Sequence, residues 1–598
     1  MTDQSDATRA PMSFADAAAA RQALASIFTS AARMTQAAAG RAFTRPEPLA
    51  FDPMDKAEAW LAFGWALTSQ PGLLARAQMK AWEQWSALWA STLRQTFSGE
   101  SDQVIEPSRG DRRFSDPSWT EQPWFAHLKQ SYLLLGRQLG EFVDAAECLD
   151  EDQRLRIHFM LQQYLDAVAP TNFAATNPEA IRKTLETGGV NLLTGLANLL
   201  ADAADGRGLV KRRSNEDWEL GVNIAATPGS IVFQNDLFQL IQYQAATDQV
   251  ARRPLLYVPP LVNKYYLMDL QPHTSLLKWL VDQGRTVFAI SWVNPGLELR
   301  DKDFGDYVTE GVVAAMDAIR EITGEPDADI AAFCMGGTLS AAAAAWLAQC
   351  GEGERLGSLT MIGTLLDFSD MGDWTLFTTQ SDLEALARKL EPKGYVEAHE
   401  LQQLFSLMRA NDLIWSSAVS HYLLDKAAPP SDILWWFADG SRIPAAFLKS
   451  YGTLLLKENR LRDAGAITIK GQGLDLGLIR SPVMLISLKE DHVSAWKGTY
   501  RGAHLFGGPV RFLLGGSGHN AGVINPPSAN KHGYWTTEAL PELAEDWMAA
   551  ATKRPGSWWP EWQEWLTGQD PQSLPARQVG GGKLQPLEPA PGSYVRVR

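Results

Sequence analysis

Cysteine is scarce in this sequence: 598 residues contain three, Cys148, Cys334 and Cys350. An odd, sparse set does not make a disulfide framework, which excludes the small stapled domains of secreted proteins and suits a reducing cytoplasm. Positive charge is also in deficit. Lys and Arg number 54 against 69 Asp and Glu, a net charge of −15, so duplex DNA or RNA is excluded as a partner on electrostatic grounds. Long apolar runs are missing too. The longest, residues 331–348, is interrupted by Gly336, Gly337, Thr338 and Ser340, and reads as a strand end plus a core helix rather than a membrane span. The first nine residues are polar and lack the apolar stretch of a signal peptide. A soluble protein of two or three domains is expected at this length.

Tryptophan is abundant instead: 22 residues, about three times the average usage. Trp82, Trp85 and Trp89 share one face at helical spacing. Core packing of a helical region is the plainer reading. An apolar surface for a hydrophobic product, a partner protein or a second subunit is the sharper one.

Periodicity divides the chain into a flexible tail (1–45), a helical domain (46–220), a catalytic domain (221–552) and an extended C-terminal tail (553–598). Helices are expected over 119–139, 152–167 and 177–200, the last capped by Asn177 with Pro178 at its first position. From about 230, apolar runs at 230–233, 254–258, 286–292, 330–333, 359–362, 483–487 and 510–514 alternate with helical patterns such as 307–323. That alternation predicts an α/β-hydrolase type of doubly wound parallel sheet. It is lost over about 366–470, where a helical, aromatic stretch broken by Pro429-Pro430 reads as a cap inserted over the active site.

Cys334 follows the run Ile330-Ala331-Ala332-Phe333 and precedes Met335-Gly336-Gly337. This is the layout of a nucleophile elbow, a tight strand-to-helix turn that exposes one side chain at the top of the sheet. The usual elbow residue is serine. A thiolate attacks acyl thioesters readily and leaves again as a thioester, so cysteine points to acyl transfer. In such folds an acid and then a histidine follow the nucleophile along the chain. Glu490, Asp491 and His492 follow one late strand, and His519 lies in the glycine-rich loop Gly515-Gly516-Ser517-Gly518-His519 after the next. Spacing leaves Glu490 against Asp491, and His492 against His519, open. His519 would take the thiol proton and Asp491 would orient the ring. Oxyanion donors are expected from the backbone N–H of Met335, just after the nucleophile, and of Val262, in the loop after an early strand. Cys148 and Cys350 lie in helical patterns and read as inert packing residues.

These residues carry a specific likeness. The chain resembles the class I poly(3-hydroxyalkanoate) synthases in Asp111-Arg-Arg-Phe-Ser-Asp116, Thr171-Asn-Phe173, Thr176-Asn-Pro178 and Ala226-Thr-Pro-Gly229. The likeness continues through Val258-Pro-Pro260 with Asn263-Lys264, Asp269-Leu-Gln-Pro272, Phe333-Cys334, Glu490-Asp-His492, Ser517-Gly-His519 and Gly556-Ser-Trp-Trp-Pro560. It covers most of residues 110–598. The resemblance implies polymerisation of (R)-3-hydroxyacyl-CoA, short-chain and 3-hydroxybutyryl-like, into polyhydroxyalkanoate with release of CoA. CoA enters as part of the substrate, with no cofactor and no metal. The family's catalytic cysteine, aspartate and histidine fall on Cys334, Asp491 and His519. A cytoplasmic homodimer at the polyester granule surface, in contact with granule-coat proteins, is implied as well. Departures include Ala332 for the first glycine of the lipase-like box, Ser494 where proline is common, and Phe437 and Arg442 where asparagine is common. A family histidine is replaced near Leu454. The alternatives that follow are a thioesterase or polyester depolymerase of the same fold, or a weakly active granule-associated paralogue.

Overall fold

A computed structural model describes residues 22–27, 29, 61, 63–65, 68–100, 102–108, 111–205, 218–426 and 431–598. The expected tail over 1–45 falls outside the described residues except for 22–27 and 29, which are helical; Pro429-Pro430 also falls outside them. The chain forms two compact units, residues 1–216 with 403–430, and residues 217–402 with 431–598.

The first unit is helical. Its main helices are α1 (Pro71–Ser98), α2 (Pro123–Ala145), α3 (Glu151–Val168), α4 (Pro178–Glu186) and α5 (Val190–Asp205). Asn177 caps α4, its side chain accepting from the N–H groups of Glu179 (2.9 Å) and Ala180 (3.2 Å). The single helix expected over 177–200 is two, because Gly188 and Gly189 take φ of 58° and 90° between them. Arg113 is held in this unit by Asp111 (2.9 Å) and Asp166 (3.0 Å), all three side chains largely buried. The core-packing reading of the tryptophan row is corrected: Trp82 is 78% and Trp89 57% exposed, and the half-buried Trp85 donates to Gln138 Oε1 at 3.2 Å. Leu88 is the position on this stretch of α1 that turns fully inward.

The second unit is built on one eleven-stranded sheet. Its strands are β1 (Gly229–Gln234), β2 (Phe238–Tyr243), β3 (Leu255–Val258), β4 (Val287–Trp292), β5 (Ala328–Phe333) and β6 (Leu356–Ile362). They continue with β7 (Val483–Leu488), β8 (Val510–Gly515), β9 (Tyr534–Thr536), β10 (Thr552–Arg554) and β11 (Glu588–Pro589). The order across the sheet is β10-β9-β8-β7-β6-β5-β3-β4-β2-β1-β11. The six strands from β8 to β4 are parallel, with β5 and β7 buried along their whole length, as the apolar runs require. Both edges differ from the parallel expectation: β2, β1 and β11 on one side and β9 and β10 on the other pair antiparallel. The helices that matter below are α6 (Ala314–Thr323), α7 (Met335–Gln349), α8 (Ala445–Tyr451) and α9 (Trp559–Gln569).

Two expected boundaries are corrected. Segment 553–598 is no extended tail: it carries β10 from 552, α9 and β11, and buries Trp558, Trp559 and Trp562 completely. Buried indoles rather than periodicity decide its place, which is why its pattern was mute. The helical stretch 366–470 is also not one body, since 403–430 groups with the first unit. There the Leu423 carbonyl accepts from Asn191 at 2.7 Å, and Tyr422 O–H donates to Asp202 at 2.8 Å. Among the described residues no helix is long and apolar enough to cross a membrane.

Candidate active site

Cys334 is the single residue between β5 and α7, at φ 53° and ψ −127°. A non-glycine residue there is strained, and the surroundings hold it. Its N–H donates to Ile362 O at 2.9 Å, while its carbonyl accepts from Gly337 N–H (2.9 Å) and Thr364 Oγ1 (3.0 Å). Gly336 and Gly337 are what let α7 begin here. A methyl on Gly336 would lie 2.3 Å from Val258 O, and one on Gly337 would lie 2.0 Å from Thr364 Oγ1. The helix start is thus pressed directly onto the ends of β3 and β6.

Asp491 comes three residues after β7 and is buried. Its Oδ1 accepts from the N–H groups of Val493 and Ser494, each at 2.8 Å, and its Oδ2 meets His519 Nδ1 at 2.6 Å. With both oxygens used, the carboxylate has one orientation, and the ring nitrogen left for Cys334 is Nε2. His519 is buried in the loop after β8, and its ring packs on Phe333 at 4.7 Å between centroids. Gly363 takes φ +55° and brings the chain so close that a methyl there would lie 3.2 Å from His519 Cε1. Burial of the imidazole opposes its charge. The Asp491 carboxylate and Cys334, through charge and hydrogen bonding, outweigh that and push His519 up to about 10. Glu490 is exposed, so of the two neighbouring acids it is Asp491 that meets a histidine, and that histidine is His519.

The two expected oxyanion donors sit on α7 and on the loop after β3. Met335 opens α7, where an N–H has no acceptor within the helix. Val262 lies in the loop after β3, and its carbonyl accepts from Ser441 N–H at 3.0 Å. The same loop is pinned by Trp292 Nε1 to Pro259 O (2.9 Å), Trp436 Nε1 to Lys264 O (2.7 Å) and Lys264 Nζ to Val597 O (2.6 Å). Lys264 is buried, and burial pushes its ammonium down to about 8 despite the nearby Asp439 carboxylate.

One residue near the thiol carried no signal in the sequence. Tyr451 ends α8, is buried, and stacks on Phe447 at 5.6 Å between ring centroids. Burial, together with the charge of Cys334, holds its phenol well above the ordinary tyrosine range. A lone tyrosine at a helix end has no spacing that would single it out.

Residues 110–280 match the family profile described as poly-beta-hydroxybutyrate polymerase (PhaC) N-terminus, and residues 263–526 match that of the alpha/beta hydrolase fold. The chain is 42% identical over 545 residues to the poly(3-hydroxyalkanoate) polymerase of Methylorubrum extorquens, covering 91% of this chain and 89% of that one. It is 39% identical over 532 residues to the poly(3-hydroxyalkanoate) polymerase subunit PhaC of Rhizobium meliloti (89% and 87% covered). With the subunit of the same name from Cupriavidus necator the identity is 38% over 535 residues (88% and 89% covered).

Proposed function

The chain belongs to the poly(3-hydroxyalkanoate) polymerases, and from that premise we propose that it polymerises (R)-3-hydroxyacyl-CoA through a covalent thioester on Cys334. The observation that carries the reading is a thiol at a strained strand-to-helix turn beside a buried Asp491–His519 pair. Sγ of Cys334 attacks the thioester carbonyl, and the C–S bond to CoA breaks. CoA leaves with a proton from His519, and the acyl group stays on sulfur. The 3-hydroxyl of a second unit then attacks this thioester and gives its proton to His519. An ester forms and the Cys334 thiolate is released. Asp491 holds the ring in the tautomer that keeps Nε2 toward sulfur and stabilises its charge. The N–H groups of Met335 and Val262 receive the oxyanion in both halves.

Short-chain 3-hydroxybutyryl-like units are the proposed substrate, and a homodimer at the granule surface with granule-coat proteins is the proposed setting. No cofactor or metal enters the scheme, because thioester-to-ester exchange is redox-neutral and nearly balanced in energy. CoA release and polymer yield from (R)-3-hydroxybutyryl-CoA, measured for wild type, Cys334→Ser and Cys334→Ala, test the assignment. Loss of both in the variants is expected, and undiminished turnover would refute it. Free hydroxy acid in place of polymer would make the enzyme a thioesterase. A panel of longer 3-hydroxyacyl-CoA thioesters reads the chain-length preference.

A further inference from the structure

The loop that carries His519 has little stiffness of its own. Gly516, Gly518 and Gly522 occupy three of its seven positions from 516 to 522, and Ser517 adopts φ 73°. A hydrogen bond to Asp491 orients the ring but does not by itself keep the loop in place. After His519 the chain closes one turn, Gly522 N–H to Gly518 O at 2.8 Å and Ile524 N–H to Asn520 O at 3.1 Å. The next carbonyls, of Gly522 and Val523, leave that turn and accept from donors outside it, Val523 O besides the Asn525 N–H that reaches it at 2.9 Å.

Segment 553–598 supplies them. Trp558 Nε1 donates to Gly522 O and Trp559 Nε1 to Val523 O, each at 3.0 Å, and both indoles are 0% exposed. One turn on, Trp562 Nε1 donates to Thr360 Oγ1 at 2.9 Å. Thr360 lies on β6, two residues before Ile362, whose carbonyl receives the N–H of Cys334. The three rings pack on one another, Trp558 against Trp559 at 6.4 Å and against Trp562 at 6.0 Å between centroids. A single aromatic block at the start of α9 therefore grips the histidine loop on one side and the strand that anchors the nucleophile on the other. Packing alone would be satisfied by any large ring. The donors aimed at two successive loop carbonyls are a further feature.

We propose that Trp558 and Trp559 are positioning residues, whose indole N–H groups hold the His519 loop in register with Cys334. This rests on the catalytic reading of Cys334 and His519 given above. Trp558→Phe, Trp559→Phe and the double variant keep the aromatic block and delete the donors. Two measurements on the full chain decide: steady-state CoA release from (R)-3-hydroxybutyryl-CoA, and the rate at which iodoacetamide alkylates each cysteine at pH 7, resolved by peptide mass spectrometry. In the double variant kcat and the alkylation rate of Cys334 are expected to fall about tenfold, since an ångström of misplacement is worth up to about a hundredfold. KM stays within about twofold, as the donors touch no substrate. Alkylation of Cys148 and Cys350 does not change. If the double variant fails to fold, each single variant, lacking one donor, is expected to show about a threefold loss in the same two readouts. Folded variants with wild-type kcat and wild-type alkylation of Cys334 would overturn the proposal. Wild-type turnover in Cys334→Ala would instead overturn the catalytic reading beneath it.

Discussion

Replacing Gly336 by alanine probes the elbow with one methyl group. That methyl would lie 2.3 Å from Val258 O and 2.7 Å from Pro259 O, about 1 Å inside ordinary contact. Both obstacles are backbone. Val258 ends a central strand paired on both sides, and Pro259 O is also held by Trp292 Nε1 at 2.9 Å. The elbow therefore moves instead, by about 1 Å, and carries Cys334 and the Met335 N–H away from the Val262 loop. Overpacking of this size destabilises by about 1–3 kcal/mol. The loss of an aligned oxyanion donor costs about 10²–10³ in kcat. The expected result is thus a folded protein, its melting midpoint lowered by a few degrees, with CoA release from (R)-3-hydroxybutyryl-CoA down about a hundredfold. Gly353→Ala, just beyond the far end of α7, is the control, because its methyl would meet Ala348 at an ordinary 3.4 Å. A Gly336→Ala enzyme within about threefold of wild type would refute the argument that this close approach sets the donor geometry.

In Asp491→Asn the carbonyl oxygen stays with the N–H groups of Val493 and Ser494, so the amide NH2 faces His519 Nδ1 and forces the wrong tautomer; kcat is expected to fall by about 10³ or more, read as CoA release. Glu490→Gln, at an exposed side chain, leaves the rate within about twofold of wild type in the same assay. Lys264 is shifted down to about 8 in the folded protein. Between pH 8 and its ordinary value the unfolded chain binds more protons there, so this group's contribution to stability rises with pH, by about 3 kcal/mol in all. Melting midpoints of wild type and Lys264→Met, compared at pH 7 and pH 10, should move in the wild type's favour at the higher pH; an unchanged difference would count against a buried ammonium. His519 acts in the opposite sense. Its raised value makes its contribution fully present at acid pH and lost as pH climbs toward 10, and His519→Gln should flatten that alkaline loss.

The central sheet was legible because a strand buried on both faces must be apolar throughout, and β5 and β7 are short runs of that kind flanked by turns. The elbow was legible for a similar local reason: an apolar run, one reactive residue and two glycines describe a tight turn into a helix. The sheet edges were not. β9 and β10 have three residues each and β11 two, too few to show a period. Spacing alone left the choice between Glu490 and Asp491 open, since adjacent residues of the same chemistry differ only in which way the loop turns them; the family resemblance was what pointed to Asp491.

Residue type and spacing by themselves determined the kind of chemistry available here: a thiol at an elbow, with an acid and then a histidine later in the chain. Which of these groups meet was decided only by the tertiary structure, which carries Asp491 to His519 across 28 residues of chain and brings the indoles of a segment expected to be a tail beneath the histidine loop. It also left Trp82 and Trp89 on the surface, although their spacing suited a core equally well. The physical reason is common to all three cases. Local conformation follows from covalent neighbours, whereas burial and pairing depend on partners that folding brings from elsewhere in the chain.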